Sequence, residues 1–309
     1  MLFRQLEYFV AVAREQHFAR AAEACFVSQP ALSSAIAKLE HELNVTLINR
    51  GHSFGGLTPE GERLVIWAKR ILAEHDAFKA EVLAVQSGIT GTLRLGTIPT
   101  ASVTMWLPVA AFCSAHPLAK VQALSRLSTT ELHRRLRNFE IDAAIGIFGE
   151  DDREGLETFP LYEERYVLIA PEELVPTDAR RLSWTDVARL PLVLLTPDMK
   201  VRQVIDEAFS KSGLAVSPEI ETDSVASMLT YVATGRWASI VPHTWLQSPS
   251  PRGTHVVTLT DPTPRTQVVV ATSSASPGSP IARAFATASM GLALDAFFDQ
   301  LVPIEGEDG

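Results

Sequence analysis

The chain has 309 residues, of which 46% are hydrophobic and 20% charged, a balance that excludes a wholly disordered protein and predicts two or three domains. Its two cysteines cannot supply a disulfide framework or a four-ligand zinc site, and no apolar run approaches the roughly 18 residues of a membrane helix. The N-terminal segment does not resemble a secretory signal peptide. We therefore expect a cytoplasmic protein that contacts no membrane and carries no metal or cofactor.

The net charge of −9 is distributed unevenly along the chain. Residues 1–70 hold 8 Lys and Arg against 7 Asp and Glu, whereas the remaining residues hold 19 against 29. Because broad electrostatic attraction is missing, a near-neutral head on an acidic body can contact DNA only through a few well-aimed groups.

The first 45 residues have the spacing of three short helices. Ser28 is a candidate N-cap with Pro30 in the following turn, and the sequence before it is rich in alanine. Apolar residues of the third helix recur at intervals of 4, 3 and 4, at Leu32, Ile36, Leu39 and Leu43. Two helices joined by a few residues, the second opened by Ser-Gln-Pro, predict a helix-turn-helix. An ordinary three-helix core is the alternative.

A polar segment with three glycines, residues 49–58, separates the short strand signals VTLI and GLT. This pattern predicts a β-hairpin, which beside a helix-turn-helix would form a wing. Arg50, His52 and Ser53 at its tip are candidate contacts to phosphate or the minor groove, and a solvated loop is the alternative.

A long helix is predicted from Thr58, a candidate cap followed by Pro59, to about Gln86. Three heptads of mostly apolar residues predict a coiled-coil seam and a dimer contact, although a helix packed on its own chain would show the same pattern. The seam consists of Leu64, Ala68, Ile71, His75, Phe78, Val82 and Val85. Residues 87–91 form a predicted hinge.

Residues 91–302 alternate between strand and helix patterns, which predicts parallel sheets with helical cover. Changes near residues 162 and 266 indicate two similar lobes joined by two crossovers. Strands are predicted at 92–98, 121–124, 143–147, 166–170, 192–195, 239–241 and 268–271, and helices at 100–116, 129–139, 201–212, 225–234 and 280–301.

The runs LEYFVAVAREQHFARAAEACFVSQPALSSAIAKLEHELNVTLINR and GLTPEGE resemble the N-terminal domain of LysR-type transcriptional regulators. The resemblance extends over the whole chain, and within the family it looks closest to an OxyS-like actinobacterial branch linked to oxidative stress. It implies a winged helix-turn-helix domain (1–58), a linker and dimerisation helix with a hinge (59–90) and an α/β effector domain (91–302), followed by a tail (303–309). The effector domain would consist of two Rossmann-like subdomains similar to periplasmic binding proteins, lobe I (91–162 and 267–302) and lobe II (163–266).

The helix that opens at Ser28 would then enter the major groove of double-stranded operator DNA. Gln29 can pair bidentately with adenine, and Pro30 and Ala31 can contact a thymine methyl group. The candidate DNA contacts on this helix are Ser28, Gln29, Pro30, Ala31, Ser33, Ser34 and Lys38, with capping and solvent exposure as the alternative for the serines. Ser34 stands where the family often has arginine, which changes the preferred site without removing DNA binding.

The resemblance places a small effector, an anion or a metabolite, in the cleft between the lobes. Candidate effector residues follow strand ends in lobe I or lie near the start of a helix in lobe II: Thr100, Ser102, Ser128, Thr129, Lys200 and Arg202. Capping for the hydroxyls and a solvated face for the two cations are the alternatives.

Cys25 lies directly before the predicted recognition helix and is a candidate redox switch, with a small buried hydrophobe as the alternative. Cys113 lies in an apolar helix and is expected in the core.

Enzymes and solute-binding proteins are the rival classes. The chain lacks the G-x-S-x-G elbow, the P-loop, the H-E-x-x-H pair and the G-x-G-x-x-G fingerprint, so no catalytic residue is predicted. The function predicted is a sequence-specific regulator modulated by an effector. The alternative is a solute-binding or enzymatic α/β protein with a helical N-terminal interaction module. The long helix predicts a homodimer, and the resemblance implies a homotetramer and contact with RNA polymerase.

Overall fold

The computed structural model describes residues 1–50, 54–247, 251–275 and 278–301, which form a helical head, a long helix and a two-lobed body. The predicted tail, 303–309, lies outside the described residues. Within these ranges, buried apolar side chains form one cluster in the head and one in each lobe. The helices described include none with the length and apolar character needed to span a membrane.

The head contains α1 (Phe3–Glu15), α2 (Phe18–Ala24) and α3 (Gln29–Leu43). Ala21 and Ala22 of α2 are buried, and their small side chains let the neighbouring helices approach closely. From α3 the first three members of the predicted stripe, at positions 32, 36 and 39, are fully buried, while Leu43 is exposed. The predicted helix-turn-helix is confirmed.

An antiparallel pair of strands, β1 (Ile48–Arg50) and β2 (Phe54–Leu57), follows the three helices. Ile48 lies opposite Leu57 in the register, so the chain folds back as predicted for a wing. Ile48 is buried in the head core, which holds the base of the wing against the helices.

The third segment, α4 (Pro59–Ser87), begins where the wing ends. Thr58 caps it: its Oγ1 accepts the N–H of Gly61 at 2.9 Å and donates to the Thr46 carbonyl at 2.7 Å. A Cβ atom at Gly61 would lie 2.1 Å from the Leu47 carbonyl oxygen. The first turn of α4 therefore touches the chain before the wing, and only glycine fits there.

The predicted seam along α4 divides into two halves. Ala68 is buried in the head core, with Leu64 and Ile71 packed against the same cluster, so this half faces the chain's own head and not a partner. Phe78, Val82 and Val85 in the other half are exposed. The periodicity predicted the apolar positions of the helix but could not show which of them pack against the chain's own head.

Lobe I begins after Gly88 with β3 (Gly91–Thr97), which pairs in parallel with β4 (Ala119–Leu124) and β5 (Ala143–Gly146). Two helices, α5 (Trp106–Ala115) and α6 (Thr129–Arg137), connect these strands. The predicted helix at 100–116 is instead a short 3-10 helix, Thr100–Val103, followed by α5.

The strand β6 (Leu156–Pro171) runs through both lobes. It pairs with β12 (Arg265–Ser273) up to Arg165, and from Tyr166 with β10 (Ser239–Pro242) and β11 (Thr254–Thr260). The sequence predicted only its second half, 166–170. All of these pairings are antiparallel, whereas β3 pairs in parallel with β4 and β5, so the eight-stranded sheet is mixed and the predicted parallel arrangement holds for only part of it.

Lobe II and the C-terminal segment complete the body. The remaining elements are β7 (Arg181–Ser183), α7 (Trp184–Val187), β8 (Val193–Leu195), α8 (Lys200–Lys211), β9 (Ile220–Thr222), α9 (Val225–Ala233), the 3-10 helix His243–Gln247, α10 (Pro280–Met290) and α11 (Leu294–Asp299). The predicted single helix at 280–301 is broken after Met290, where Gly291 and Leu292 form a turn before α11.

Candidate DNA-binding surface and effector cleft

The N-terminal half of α3 turns a polar face away from the head core. Beneath it, Leu32, Ile36 and Leu39 are fully buried and hold the helix in place. Of the residues predicted to contact DNA on this helix, Ser33 is half-buried and the others are exposed: Ser28, Gln29, Pro30, Ala31, Ser34 and Lys38.

The start of α3 also suits a negatively charged ligand. The Ser28 hydroxyl accepts the N–H of Ala31 at 3.4 Å, as its predicted cap role requires. The first turn contains no acidic residue, so the partial positive charge of the helix N-terminus is not neutralised there. Lys38 is the only charged residue between positions 28 and 38. The face can therefore accept a phosphate backbone and present Gln29 to bases.

The wing candidates fall at the edge of the described structure. Arg50 ends β1, where its backbone pairs with Phe54, at the base of the hairpin tip. His52 and Ser53 lie outside the described residues.

Cys25 is the C-terminal cap of α2 and packs, half-buried, against the head core. Burial raises the pKa of its thiol, and the nearby Arg14 lowers it too little to compensate. Reactive thiols have a lowered pKa, so this environment is that of a packed cysteine and gives the redox prediction no support. Cys113 is exposed on α5, and its predicted place in the core is wrong. That helix is apolar on every side, so its composition could not show which side faces water.

The turn after β3 forms a 3-10 helix and not the predicted α-helix, so hydroxyl groups are the candidate ligand contacts there. Thr100 is buried, and the Ser102 hydroxyl donates to the Pro99 carbonyl at 2.5 Å. At the next turn, the Ser128 Oγ accepts the N–H of Glu131 at 3.2 Å, and the Thr129 Oγ1 donates to the Ile147 carbonyl at 3.1 Å. Three of these four hydroxyls therefore bond within their own lobe, and one of them, Ser128, has the capping role that the sequence left open.

The two predicted cations of lobe II differ from each other. Lys200 is exposed at the first residue of α8, whereas the Arg202 side chain is buried. Its guanidinium donates to Asp206 and Glu221 at 2.8 Å each and to the Leu195 carbonyl at 2.7 Å. Burial alone would lower the pKa of Arg202, but the two carboxylates raise it. The charge is paired within lobe II, so an effector role for Arg202 stays a prediction.

Contacts between the lobes were not predicted from the sequence. The Gln247 side chain of lobe II donates to the Val103 carbonyl and accepts from the Trp106 indole of lobe I, both at 2.9 Å. Arg126 of lobe I also lies 3.8 Å from Asp223 of lobe II, measured from Nη2 to Oδ2. These polar residues lie in loops or short helices without a recognisable pattern, so spacing could not reveal them.

A buried carboxyl group occupies the crossover strand between the lobes. Glu164 is 1% exposed, and its Oε1 accepts from the Thr244 hydroxyl at 3.2 Å. Its Oε2 has no hydrogen-bond partner among the described residues. Burial raises the pKa of Glu164 to about 8. Tyr162 and Tyr166, on the same side of β6, bond to Thr104 at 2.5 Å and to Thr266 at 3.1 Å, so polar contacts hold the strand on both sides of Glu164.

The head and the two-lobed body each match a known protein family. The profile for the bacterial regulatory helix-turn-helix protein, lysR family, matches residues 3–62, and the LysR substrate binding domain matches residues 86–290. The chain belongs to the LysR family. Its members are DNA-binding transcriptional regulators and not enzymes, so the solute-binding and enzymatic alternatives receive no support.

Curated LysR relatives cover most of the chain. A probable hydrogen peroxide-inducible genes activator of Streptomyces viridosporus is 31% identical over 260 residues, which are 82% of this chain and 81% of that protein. A protein with the same name in Mycobacterium xenopi is 38% identical over 166 residues, 54% of this chain and 87% of the relative.

Solved structures share the LysR architecture over nearly the whole length. A full-length, cysteine-substituted OxyR of Pseudomonas aeruginosa is 26% identical with a TM-score of 0.73, covering 94% of this chain and 98% of its own. Full-length CbnR in complex with its target DNA is 22% identical with a TM-score of 0.65, covering 94% and 99%. The second likeness concerns the fold alone. The predicted winged head, linker helix and two-lobed body are thereby confirmed as the LysR fold.

Proposed function

We propose that this LysR regulator reads its operator with the exposed N-terminal face of α3. The observation that carries the proposal is the contrast along this helix. Gln29, Pro30 and Ala31 are exposed at its start, while Leu32 and Ile36 fasten the opposite face to the head core. A helix held in this way can enter a major groove without losing its own packing.

Within this interface, Gln29 reads an adenine and Pro30 with Ala31 contacts a thymine methyl group. Ser28, Ser33, Ser34 and Lys38 hold phosphates or flanking groups, and the wing residues Arg50, His52 and Ser53 contact a phosphate or the minor groove. Because the net charge of residues 1–70 is close to zero, one copy binds weakly, and a second head on a paired linker raises the effective concentration.

The test is a binding titration of the full chain on two duplexes, one from the region upstream of its own gene and one of random sequence. Gln29→Ala is expected to cost ~1–3 kcal/mol on the first duplex and little on the second. Gln86→Ala, an exposed glutamine on α4, is the matched control. Equal losses on both duplexes for Gln29→Ala would contradict the assignment of base reading.

We further propose that a small anion or metabolite binds between the lobes and shifts their arrangement, since a ligand can do so only through differential affinity. Thr100 is the first candidate contact, because it is buried in the turn whose Val103 carbonyl accepts a hydrogen bond from Gln247 of lobe II. Ser102, Ser128, Thr129, Lys200 and Arg202 complete the candidate set. Thermal melting of the wild type and Thr100→Val with sulfate, acetate and benzoate tests this. A ligand that stabilises both chains equally argues against Thr100.

The names of the mycobacterial and streptomycete relatives make oxidative stress the first condition to test. DNA binding before and after hydrogen peroxide should be compared in the wild type, Cys25→Ser and Cys113→Ser. If peroxide sensitivity survives both substitutions, neither thiol is the sensor.

The oligomeric state and the cellular location that we propose follow from the same function. The exposed half of the α4 seam supports a homodimer, and the family supports a homotetramer that spans two half-sites. A bacterial operator and RNA polymerase are both cytoplasmic partners, so we assign the protein to the cytoplasm.

A further inference from the structure

Phe26 lies in the turn between α2 and α3, and its side chain is 95% exposed. Among the large hydrophobic side chains of the described ranges, none is more exposed. The next residue, Val27, packs against the head core. The fold therefore uses Val27 as its apolar contact and leaves the phenylalanine ring in solvent.

The backbone at Phe26 is left-handed, with φ of +56°. Its N–H donates to the Glu23 carbonyl and the Val27 N–H donates to the Ala22 carbonyl, both at 3.0 Å. These two bonds end α2 in a Schellman motif, whose left-handed position is usually glycine and sometimes asparagine, because a side chain strains the backbone there. A phenylalanine thus strains the turn and gains no packing in return.

The position of this ring is close to the reading helix. Phe26 precedes the Ser28 cap by two residues and Gln29 by three, and the residues from 28 to 31 are all exposed. Only Val27 separates the exposed ring from the exposed start of α3, so one large aromatic surface lies beside hydrogen-bonding groups and an unneutralised helix N-terminus.

We propose that Phe26 is a further DNA-contact residue, whose ring packs against deoxyribose carbons of the strand that borders the groove entered by α3. The proposal rests on the proposed role of α3. An aromatic ring buries a large apolar area, and sugar carbons are the apolar part of the backbone. Because the ring is uncharged and the sugar is the same at every base pair, this contact adds affinity without adding sequence preference or counterion release.

The experiment measures Kd for the full chain on the upstream duplex and on a random duplex, from about 50 to about 200 mM KCl. Phe26→Gly is expected to raise Kd about five- to tenfold on both duplexes with an unchanged salt slope. Because glycine suits the left-handed turn, the melting temperature should stay the same or rise. Phe26→Trp should retain wild-type affinity. Lys38→Ala, which removes one positive charge, should flatten the salt slope by about 0.9. Leu118→Gly, which removes an exposed leucine of lobe I, should change neither Kd nor the salt slope.

Three results would overturn the proposal. Phe26→Gly could bind both duplexes as tightly as the wild type, could melt at a lower temperature, or could keep its DNA affinity while losing transcriptional activation, which would assign the ring to a protein partner. If Phe26→Gly binds normally while Gln29→Ala loses operator preference, the role of Phe26 fails and the proposed function stands. If Phe26→Gly weakens binding while Gln29→Ala keeps the preference, the base-reading assignment fails instead.

Discussion

Lys69 of α4 lies 3.2 Å from Glu140 of lobe I, measured from Nζ to Oε1, and so joins the linker helix to the effector domain. Further along the helix, Glu81 pairs with Arg283 of α10 at 2.8 Å. A cavity of about 900 Å³ lies between α4 and lobe I, and Lys69, Glu140 and Arg283 are among its lining residues. Left-handed Gly88 and Gly91, with φ of +83° and +97°, follow the helix. The linker helix α4 is therefore held on lobe I at two points before a glycine hinge.

Glu140→Gln is expected to loosen this docking. Burial raises the pKa of Glu140, but the hydrogen bond and charge of Lys69, helped by Arg134, outweigh burial and lower it. An acid with a lowered pKa contributes stability above its unfolded pKa and loses it as the pH falls through the folded value. A half-exposed pair of this kind contributes about 0.5–1 kcal/mol. Proteolysis at the hinge should accelerate in Glu140→Gln and not in Glu154→Gln, an exposed glutamate of the same lobe. Equal cleavage rates in the two variants would mean that the Lys69–Glu140 pair does not restrain the linker helix.

Gly61→Ala is expected to destabilise the head. The new methyl group would overlap the Leu47 carbonyl oxygen, so either the α4 start or the segment before the wing must move, at a cost of about 1–3 kcal/mol. Urea unfolding followed by circular dichroism measures the effect. Glu62→Ala, an exposed neighbour in the same turn, is the control. A Gly61→Ala midpoint equal to that of Glu62→Ala would show that the helix start can shift freely.

The head could be predicted from the sequence because its signals are local. Ser28 and Thr58 each cap an N–H group three residues on, and the stripe of Leu32, Ile36 and Leu39 is visible in the helical spacing alone. The sequence predicted only the part of the crossover strand that begins at Tyr166, because Glu163, Glu164 and Arg165 interrupt the apolar pattern before it. Glu164 is nevertheless buried, since elements distant in the chain cover it.

The candidate effector site was less predictable. A cation after a strand end has the same spacing whether it binds a ligand or pairs with carboxylates of its own lobe. For Arg202, the partner Glu221 is 19 residues away on β9, and only the tertiary fold brings the two together. The contacts of Trp106 and Arg126 with lobe II depend on partners about 100 residues or more away and have no local signal.

Arg202→Met is expected to destabilise lobe II by about 1.5–3 kcal/mol, because it removes three hydrogen bonds, two of them to carboxylates. Lys200→Met, at the exposed start of the same helix, should have little effect. Chemical denaturation compares the two variants. If Arg202→Met unfolds like the wild type but loses a response to an anion, the guanidinium serves a ligand and not the lobe.

Glu164→Gln is expected to flatten the pH dependence of stability. Because burial raises the pKa of Glu164 to about 8, the folded chain binds a proton that the unfolded chain releases, and stability falls as the pH rises towards 8. Burial lowers the pKa of His243 to about 4, so His243 makes stability rise with pH, but only up to its unfolded pKa near 6.5. Stability should therefore fall by about 1.4 kcal/mol per pH unit just above pH 6.5, and this slope should halve as the pH reaches the folded pKa of about 8. Urea titrations across this range compare the wild type, Glu164→Gln and Glu157→Gln, which changes an exposed glutamate of the same strand. A slope that survives in Glu164→Gln belongs to another group.

Val82→Glu is expected to weaken self-association through the exposed half of α4. Phe78, Val82 and Val85 are spaced by four and three residues on one face, and all three are exposed in the single chain. Pairing with a second helix would bury this stripe, and a carboxylate in its middle would then lose its water without a partner. The dissociation constant of the dimer should rise at least about tenfold, which corresponds to 1.4 kcal/mol. Sedimentation equilibrium measures it, with Gln86→Glu as a control that adds the same charge at an exposed position. If both variants associate alike, the dimer uses another surface, and the exposed stripe needs a different occupant.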